Sequence, residues 1–390
     1  MNEYENPFAP GAGNPPPELA GRGEILDRAV LAMRRLKAGR HERSQLLLGL
    51  RGVGKTVLLN RIEQLAEGEG AETAFIEAPE RERLAGQLVP ALRKVLLRLS
   101  RTEAARDAVR RASSALRNFA SAFKVSVGDF ELSVQPDPGV ADSGDLALDL
   151  TDLLNSVADA ARASGKIAAV FIDEVQYLSQ EELAAIIVAC HKASQKQLPL
   201  LFVGAGLPQL AGLAGEAKSY AERLFHYPDV GALKEDDAIE ALQGPARKAG
   251  ASFSAGALDE ILRLTQGYPY FLQEWGYHSW NASPTTIIDL ETVQTATQQA
   301  IIRLDEGFFR VRFDRLTPRE KDYMRAMAQL GSGPHRSGDI AKAMTSGVRQ
   351  VAPLRGTLIH KGMIYSPNHG DTAFTVPMFD EFLKRTLSST

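Results

Sequence analysis

The chain has 390 residues, with 44% hydrophobic and 24% charged content, which suits two or three ordinary globular domains at roughly 100–200 residues each. A net charge of −3 excludes a molecule-wide basic surface, so any nucleic-acid contact must be local. One cysteine, Cys190, excludes an internal disulfide and a cysteine-rich zinc site, and neither a membrane-length apolar run nor a signal pattern appears, so the expectation is a cytoplasmic protein without a membrane partner.

The first twenty residues form an arm rich in proline and glycine (Asn6 to Pro17), read as either a flexible tail or an extended arm across a nucleotide or partner. Apolar residues recur at helical spacing from Glu24 to Leu36. Gln45 to Leu50 reads as a short buried strand, then comes a glycine-rich loop and a helix from Thr56 to Ala66. A second strand spans Thr73 to Glu77, and a single long basic amphipathic stretch covers Leu84 to Leu116. Alternating residues on either side of Gly128-Asp129 predict a hairpin from Phe123 to Val134, inside an insertion near 118–145. Buried strands Lys166–Ile172 and Leu200–Val203 alternate with helices Leu146–Ala163 and Gln180–Ser194, which predicts a parallel, helix-covered α/β sheet. Beyond Leu233 the pattern is helical up to Phe308.

Gly49-Leu-Arg-Gly-Val-Gly-Lys-Thr56 fits the P-loop pattern between a strand and a helix. Its glycines let backbone amides surround phosphates, Lys55 should reach the β- and γ-phosphates, and Thr56 should bind Mg2+. The candidate nucleotide contacts in the loop are Gly49, Arg51, Gly52, Val53, Gly54, Lys55, Thr56 and Val57, with Arg51 read more as a local or interface contact. The strand ending Val170-Phe-Ile-Asp173-Glu174 supplies the acidic partner: Asp173 for the metal, Glu174 as the base that orients water.

These motifs, with Gly21-Arg22-Gly-Glu24, Arg223 and Gly267-Tyr-Pro269, resemble the AAA+ ATPases, and more narrowly the STAND and origin-recognition-type (initiator-like) members. The resemblance implies a P-loop NTPase core over residues 21–231, a helical lid over 232–308 and a winged helix-turn-helix over 309–390. It implies that Gly21 and Arg22 lie over adenine, that Arg223 reaches a neighbour's γ-phosphate in a nucleotide-dependent oligomer, and that Pro269 packs near the nucleotide. ATP or ADP with Mg2+ are the implied cofactors. Two departures favour a slowly hydrolysing switch. The fourth strand ends Val203-Gly-Ala-Gly206 with no polar sensor, leaving Gln209 as nearest substitute, and the lid has no second-sensor arginine.

Thr317-Pro-Arg-Glu320 reads as a capping box opening three helices and a two-stranded wing. Pro353 places the start of the third helix near Val351 or Ala352. From Arg310 to Tyr365 there are eleven basic and four acidic residues, a surface suited to DNA phosphates. Arg349, Gln350, Arg355, His360 and Lys361 are the candidate DNA contacts. The alternative is a signalling or scaffold ATPase that recruits a protein partner instead.

Overall fold

Apolar runs without alternation need cover on both faces, and in this chain they assemble into a parallel sheet. The computed structural model describes residues 1–390 apart from 12, 15, 17–18, 79–82, 126–137, 369 and 388–390. Two compact units divide the chain: Arg22–Gly49 with Lys55–Val230, and Met1–Gly21 with Leu50–Gly54 and Gly231–Thr390.

The first unit is the sheet. Its strands are β1 (Ser44–Leu48), β2 (Ala71–Glu77), β3 (Ile167–Asp173), β4 (Leu200–Gly206) and β5 (Phe225–His226), in the order β2-β3-β4-β1-β5. All pairings are parallel, with Phe171 opposite Phe75 on one side and Val203 on the other. Every residue of β3 and β4 is buried, as central strands covered on both faces must be. Helices α1 (Gly23–Lys37), α2 (Lys55–Gly68), α3 (Leu84–Leu99), α4 (Arg106–Ala122), α5 (Leu146–Ala163) and α6 (Gln180–Gln195) follow the strand–helix alternation expected from the sequence.

One expected element divides. The stretch from Leu84 to Leu116 is two helices, α3 and α4, separated at Ser100–Ala105. Ser100 Oγ donates to the Leu97 carbonyl at 2.8 Å, so the side chain competes for a helix-terminal acceptor. Each helix buries its own apolar face, Leu88, Leu92, Val95 and Leu99 on α3 and Val109, Ala112, Leu116 and Phe119 on α4. The expected hairpin lies almost wholly outside the described residues.

The second unit is helical. Helices Glu235–Lys248, Ala255–Thr265, Pro269–Ala282 and Leu290–Arg303 run into a π-helical turn, Leu304–Phe309. The N-terminal arm docks here. Phe8 is buried over Gly276, where an added Cβ would meet its ring at 2.6 Å, and it meets the Phe253 ring edge-on. Asn6 Nδ2 donates to the Tyr277 carbonyl at 3.0 Å, and Trp280 Nε1 donates to the Asn2 carbonyl at 3.0 Å. The other buried indole, Trp275, donates to Thr297 Oγ1 at 3.0 Å.

The C-terminal part packs helices Pro318–Leu330, Ser337–Ala343 and Val348–His360 with strands His335–Arg336, Ile364–Tyr365 and Asp371–Phe374. Asp371–Phe374 is the middle strand, antiparallel to both others. The Thr317–Glu320 capping box forms as expected. The third helix begins earlier than expected, at Val348, so Pro353 lies in its second turn and the Arg349 carbonyl lacks its i+4 amide.

Candidate nucleotide site

The P-loop begins where β1 ends. Gly49 donates its N–H to the Gly206 carbonyl at 3.1 Å, which ties the loop to the end of β4. Gly52 and Gly54 have φ of +83° and +89°, the left-handed region that a side chain resists. Two such glycines between a strand end and a helix N-terminus give the turn that points amides inward around a phosphate. Val53 and Val57 are buried and hold the loop's apolar side.

Lys55 opens α2 and is buried. The Thr56 hydroxyl donates to Asp173 Oδ2 at 2.6 Å, and the Glu174 N–H donates to Asp173 Oδ1 at 2.8 Å. Burial raises the Asp173 pKa, and the Thr56 hydroxyl, the Glu174 amide and the Lys55 charge oppose that rise only in part. A buried carboxylate still short of positive charge, beside a hydroxyl, is a hard-oxygen donor set that fits Mg2+.

Glu174 adopts φ +52°, ψ +39°, a strained conformation for a residue with a Cβ. Its carboxylate accepts from the Gln176 amide nitrogen, and Gln176 Oε1 accepts from the Leu207 N–H at 3.2 Å. Gln176 therefore ties Glu174 to the end of β4. An added Cβ at Gly206 would come within 2.8 Å of Gln176 Oε1, and one at Gly204 within 2.7 Å of Leu46. Packing thus leaves no room for a side chain at Gly204 or Gly206 near the end of β4, and Gln176, from the segment after β3, lies against Gly206. Gln209, the substitute expected from sequence, precedes the helix Leu210–Ala217, and its Oε1 is buried and without a hydrogen-bond partner. No motif spacing pointed to Gln176.

Residues 18–203 match the family model described as AAA ATPase domain. This stretch is an AAA ATPase domain. The fold agrees: a Walker-type ATPase of Pyrococcus abyssi superposes with a TM-score of 0.61 at 19% identity, covering 94% of this chain and 96% of that one. The Orc1 protein of Aeropyrum pernix, solved in complex with DNA, superposes with a TM-score of 0.50 at 16% identity, covering 99% and 96%. Residues 306–383 match a domain described as of unknown function (DUF8462). No curated protein matches the chain.

Around the ATPase domain the remaining candidates fall as follows. Arg22 is buried at the start of α1. Gly21, with φ +68°, would place a Cβ 2.7 Å from an Asp237 carboxylate oxygen, so that close approach requires glycine. Gly267 has φ +70° and would place a Cβ 2.4 Å from the Leu233 carbonyl, while Pro269 takes the first position of its helix. In the same unit the Tyr270 N–H donates to the Gly52 carbonyl of the P-loop tip at 3.2 Å. Arg223 is exposed in the short turn Ala221–Leu224 that leads into β5.

The C-terminal candidates separate into two groups. Arg349, Gln350 and His360 are exposed on the helix Val348–His360. Arg355 and Lys361 are half-buried and bonded within the module. The Arg355 guanidinium donates to Thr372 Oγ1, Ser366 Oγ and the Asp371 carbonyl at 2.8, 2.8 and 2.9 Å, tying helix to strand. Lys361 pairs with the buried Glu320 carboxylate at 2.7 Å. Other cations of the basic count are also paired locally: Arg336 with Asp371, Lys342 with Asp339, Arg325 with Asp322 and Lys321 with Asp314. Among the described residues no helix is long and apolar enough to cross a membrane.

Proposed function

We propose that the chain is a slowly hydrolysing, Mg2+-dependent switch of the STAND and initiator-like kind, whose nucleotide state is passed to a C-terminal winged helix that contacts DNA. One observation carries the reading: the P-loop tip, Leu50–Gly54, packs in one compact unit with the lid helices and the C-terminal module. The Tyr270 amide holds the Gly52 carbonyl, and the Tyr270 ring stacks on Phe308 at 4.6 Å. Phe309 continues the contacts to Phe382 of the helix Phe379–Leu387 at 5.4 Å. A change in the loop on phosphate binding has a packed route to the module.

In this reading Lys55 and the loop amides hold the phosphates, Thr56 and Asp173 hold Mg2+, and Glu174 polarises the attacking water. Magnesium supplies charge neutralisation on the phosphate oxygens. Gln176 keeps the Glu174 carboxylate on a fixed hydrogen bond, which suits slow turnover. Arg22 and Gly21 border the base, and exposed Arg223 is available to a neighbouring subunit's phosphate in an oligomer. Arg349, Gln350 and His360 are the DNA-facing side chains.

The local pairing of most C-terminal cations favours a second reading, in which the winged helix docks a protein partner. Fluorescence anisotropy of duplex DNA decides between them, read with ATP and with ADP at two salt concentrations, using Glu174→Gln to hold the triphosphate state. Salt-sensitive binding that differs between nucleotides is expected. Absence of binding in both states would assign the module to protein recruitment.

A further inference from the structure

Residues 2–9 of the arm lie along the helix Pro269–Ala282, within one compact unit. Among the first ten residues only Phe8 is buried. Its ring lies on Gly276 and meets Phe253 edge-on. The three atoms nearest to a Cβ added at Gly276 all belong to the Phe8 ring, at 2.6, 2.7 and 2.8 Å. Asn6 Nδ2 donates to the Tyr277 carbonyl at 3.0 Å and to Asn281 Oδ1 at 2.7 Å, and Asn6 Oδ1 accepts from the Phe8 N–H at 2.9 Å. That last bond closes an Asx turn around Pro7, whose ring fixes φ within the bend. Gln273 Oε1 accepts from the Ala9 N–H at 3.4 Å, and the Asn2 carbonyl accepts from Trp280 Nε1 at 3.0 Å. The helix thus offers acceptors for a carboxamide, a donor for a backbone carbonyl and a patch bare of side chain for an aromatic ring.

Ala9 to Gly21, thirteen residues, join this docked segment to α1 and include Pro10, Pro15, Pro16, Pro17, Gly11 and Gly13. Among the described residues no helix or strand lies between Glu5 and Gly23. A proline-rich tether of that length reaches about 40 Å at roughly 3.1 Å per residue, enough to cross to a neighbouring chain. The contacts of a tethered segment are the same in its own groove or in that of another copy, and exchange of an identical element is a low-cost route to a pair. With one buried ring, the arm can leave without unfolding the helices beneath it. Tyr4 is 99% exposed, an aromatic that its own chain leaves uncovered and a second chain would cover. We propose that the groove over Gly276 is a recognition site for an Asn-x-Phe turn and that it takes this turn from a second copy of the chain, so that two copies exchange arms.

Exchange needs no nucleotide, and sedimentation velocity on the full chain reads it over about a hundredfold range of concentration. Phe8→Ala breaks the arm and leaves the groove. Gly276→Ala blocks the groove and leaves the arm, with a residue that favours helix. Wild type is expected to shift toward a dimer as concentration rises. Each variant alone is expected to remain monomeric over that range, the lost ring burial raising the dissociation constant by at least about tenfold. An equimolar mixture of the two variants is expected to form a heterodimer, because one intact arm meets one intact groove and neither has a competing contact of its own. A synthetic peptide of residues 2–11 should dissociate that heterodimer. Should Gly276→Ala fail to fold, Asn281→Ala replaces it, removing an acceptor from the Asn6 side chain. A wild type and a mixture that both stay monomeric confine the arm to its own groove and overturn the exchange. So does a dimer that Phe8→Ala leaves unchanged, which places the contact on another surface. Peptide binding to Phe8→Ala beside a monomeric mixture overturns the second copy as occupant and assigns the groove to an Asn-x-Phe turn of another protein.

Discussion

At the scale of single residues, the charge that looks available in a composition is often already committed in space. Lys361 neutralises Glu320, which is 3% exposed. Burial alone would raise the Glu320 pKa, but the Lys361 pair and the Thr317 cap outweigh it and hold the pKa below its ordinary value. A depressed folded pKa contributes stability above the unfolded carboxylate pKa and loses it as pH falls through the folded value. Lys361→Met strands the carboxylate and is expected to cost about 2 kcal/mol at pH 7, discounted because the ammonium is partly exposed. Urea titration should show wild type and variant converging as pH drops below about 4. An undiminished gap in acid would mean that packing, rather than the pair, sets the loss. The same residues mark the limit of reading charge from sequence. Counting cations from Arg310 to Tyr365 suggested a basic face, yet partners such as Asp371 for Arg336 come from strands brought together only by folding.

At the scale of elements, local chemistry was legible and tertiary substitution was not. The P-loop and the Asp173-Glu174 pair stand out because strand, turn and helix follow one another in the chain, and the structure brings Thr56 to 2.6 Å from Asp173. Gln176 carries no such signature, since its place depends on the glycine at the end of β4, where an added Cβ on Gly206 would come within 2.8 Å of Gln176 Oε1. The Gly267-Tyr-Pro269 corner lies between these cases: its spelling is recognisable, but its necessity comes from the Leu233 carbonyl that faces it. Gly267→Ala combines that clash with a left-handed φ and should destabilise by about 2 kcal/mol or more. Thermal unfolding would register this as a lowered midpoint, and an unchanged midpoint would mean that the corner relaxes freely.

At the scale of the whole molecule, the proposed oligomer makes a sharp demand. If Arg223 serves a neighbour's nucleotide, Arg223→Ala and Lys55→Ala chains are each inactive alone, but a mixture regains about a quarter to a half of wild-type turnover, because mixed neighbours pair an intact loop with an intact arginine. Phosphate release measured across mixing ratios checks this, and strictly additive, near-zero activity would confine Arg223 to its own chain.

The chain has two tryptophans, and both indoles lie buried in the helix Pro269–Ala282, Trp280 capped by the arm's Asn2 carbonyl and Trp275 bonded to Thr297. Intrinsic emission is therefore a built-in optical gauge of that single helix. The unlabelled protein can report whether the arm's Asn2 stays on Trp280.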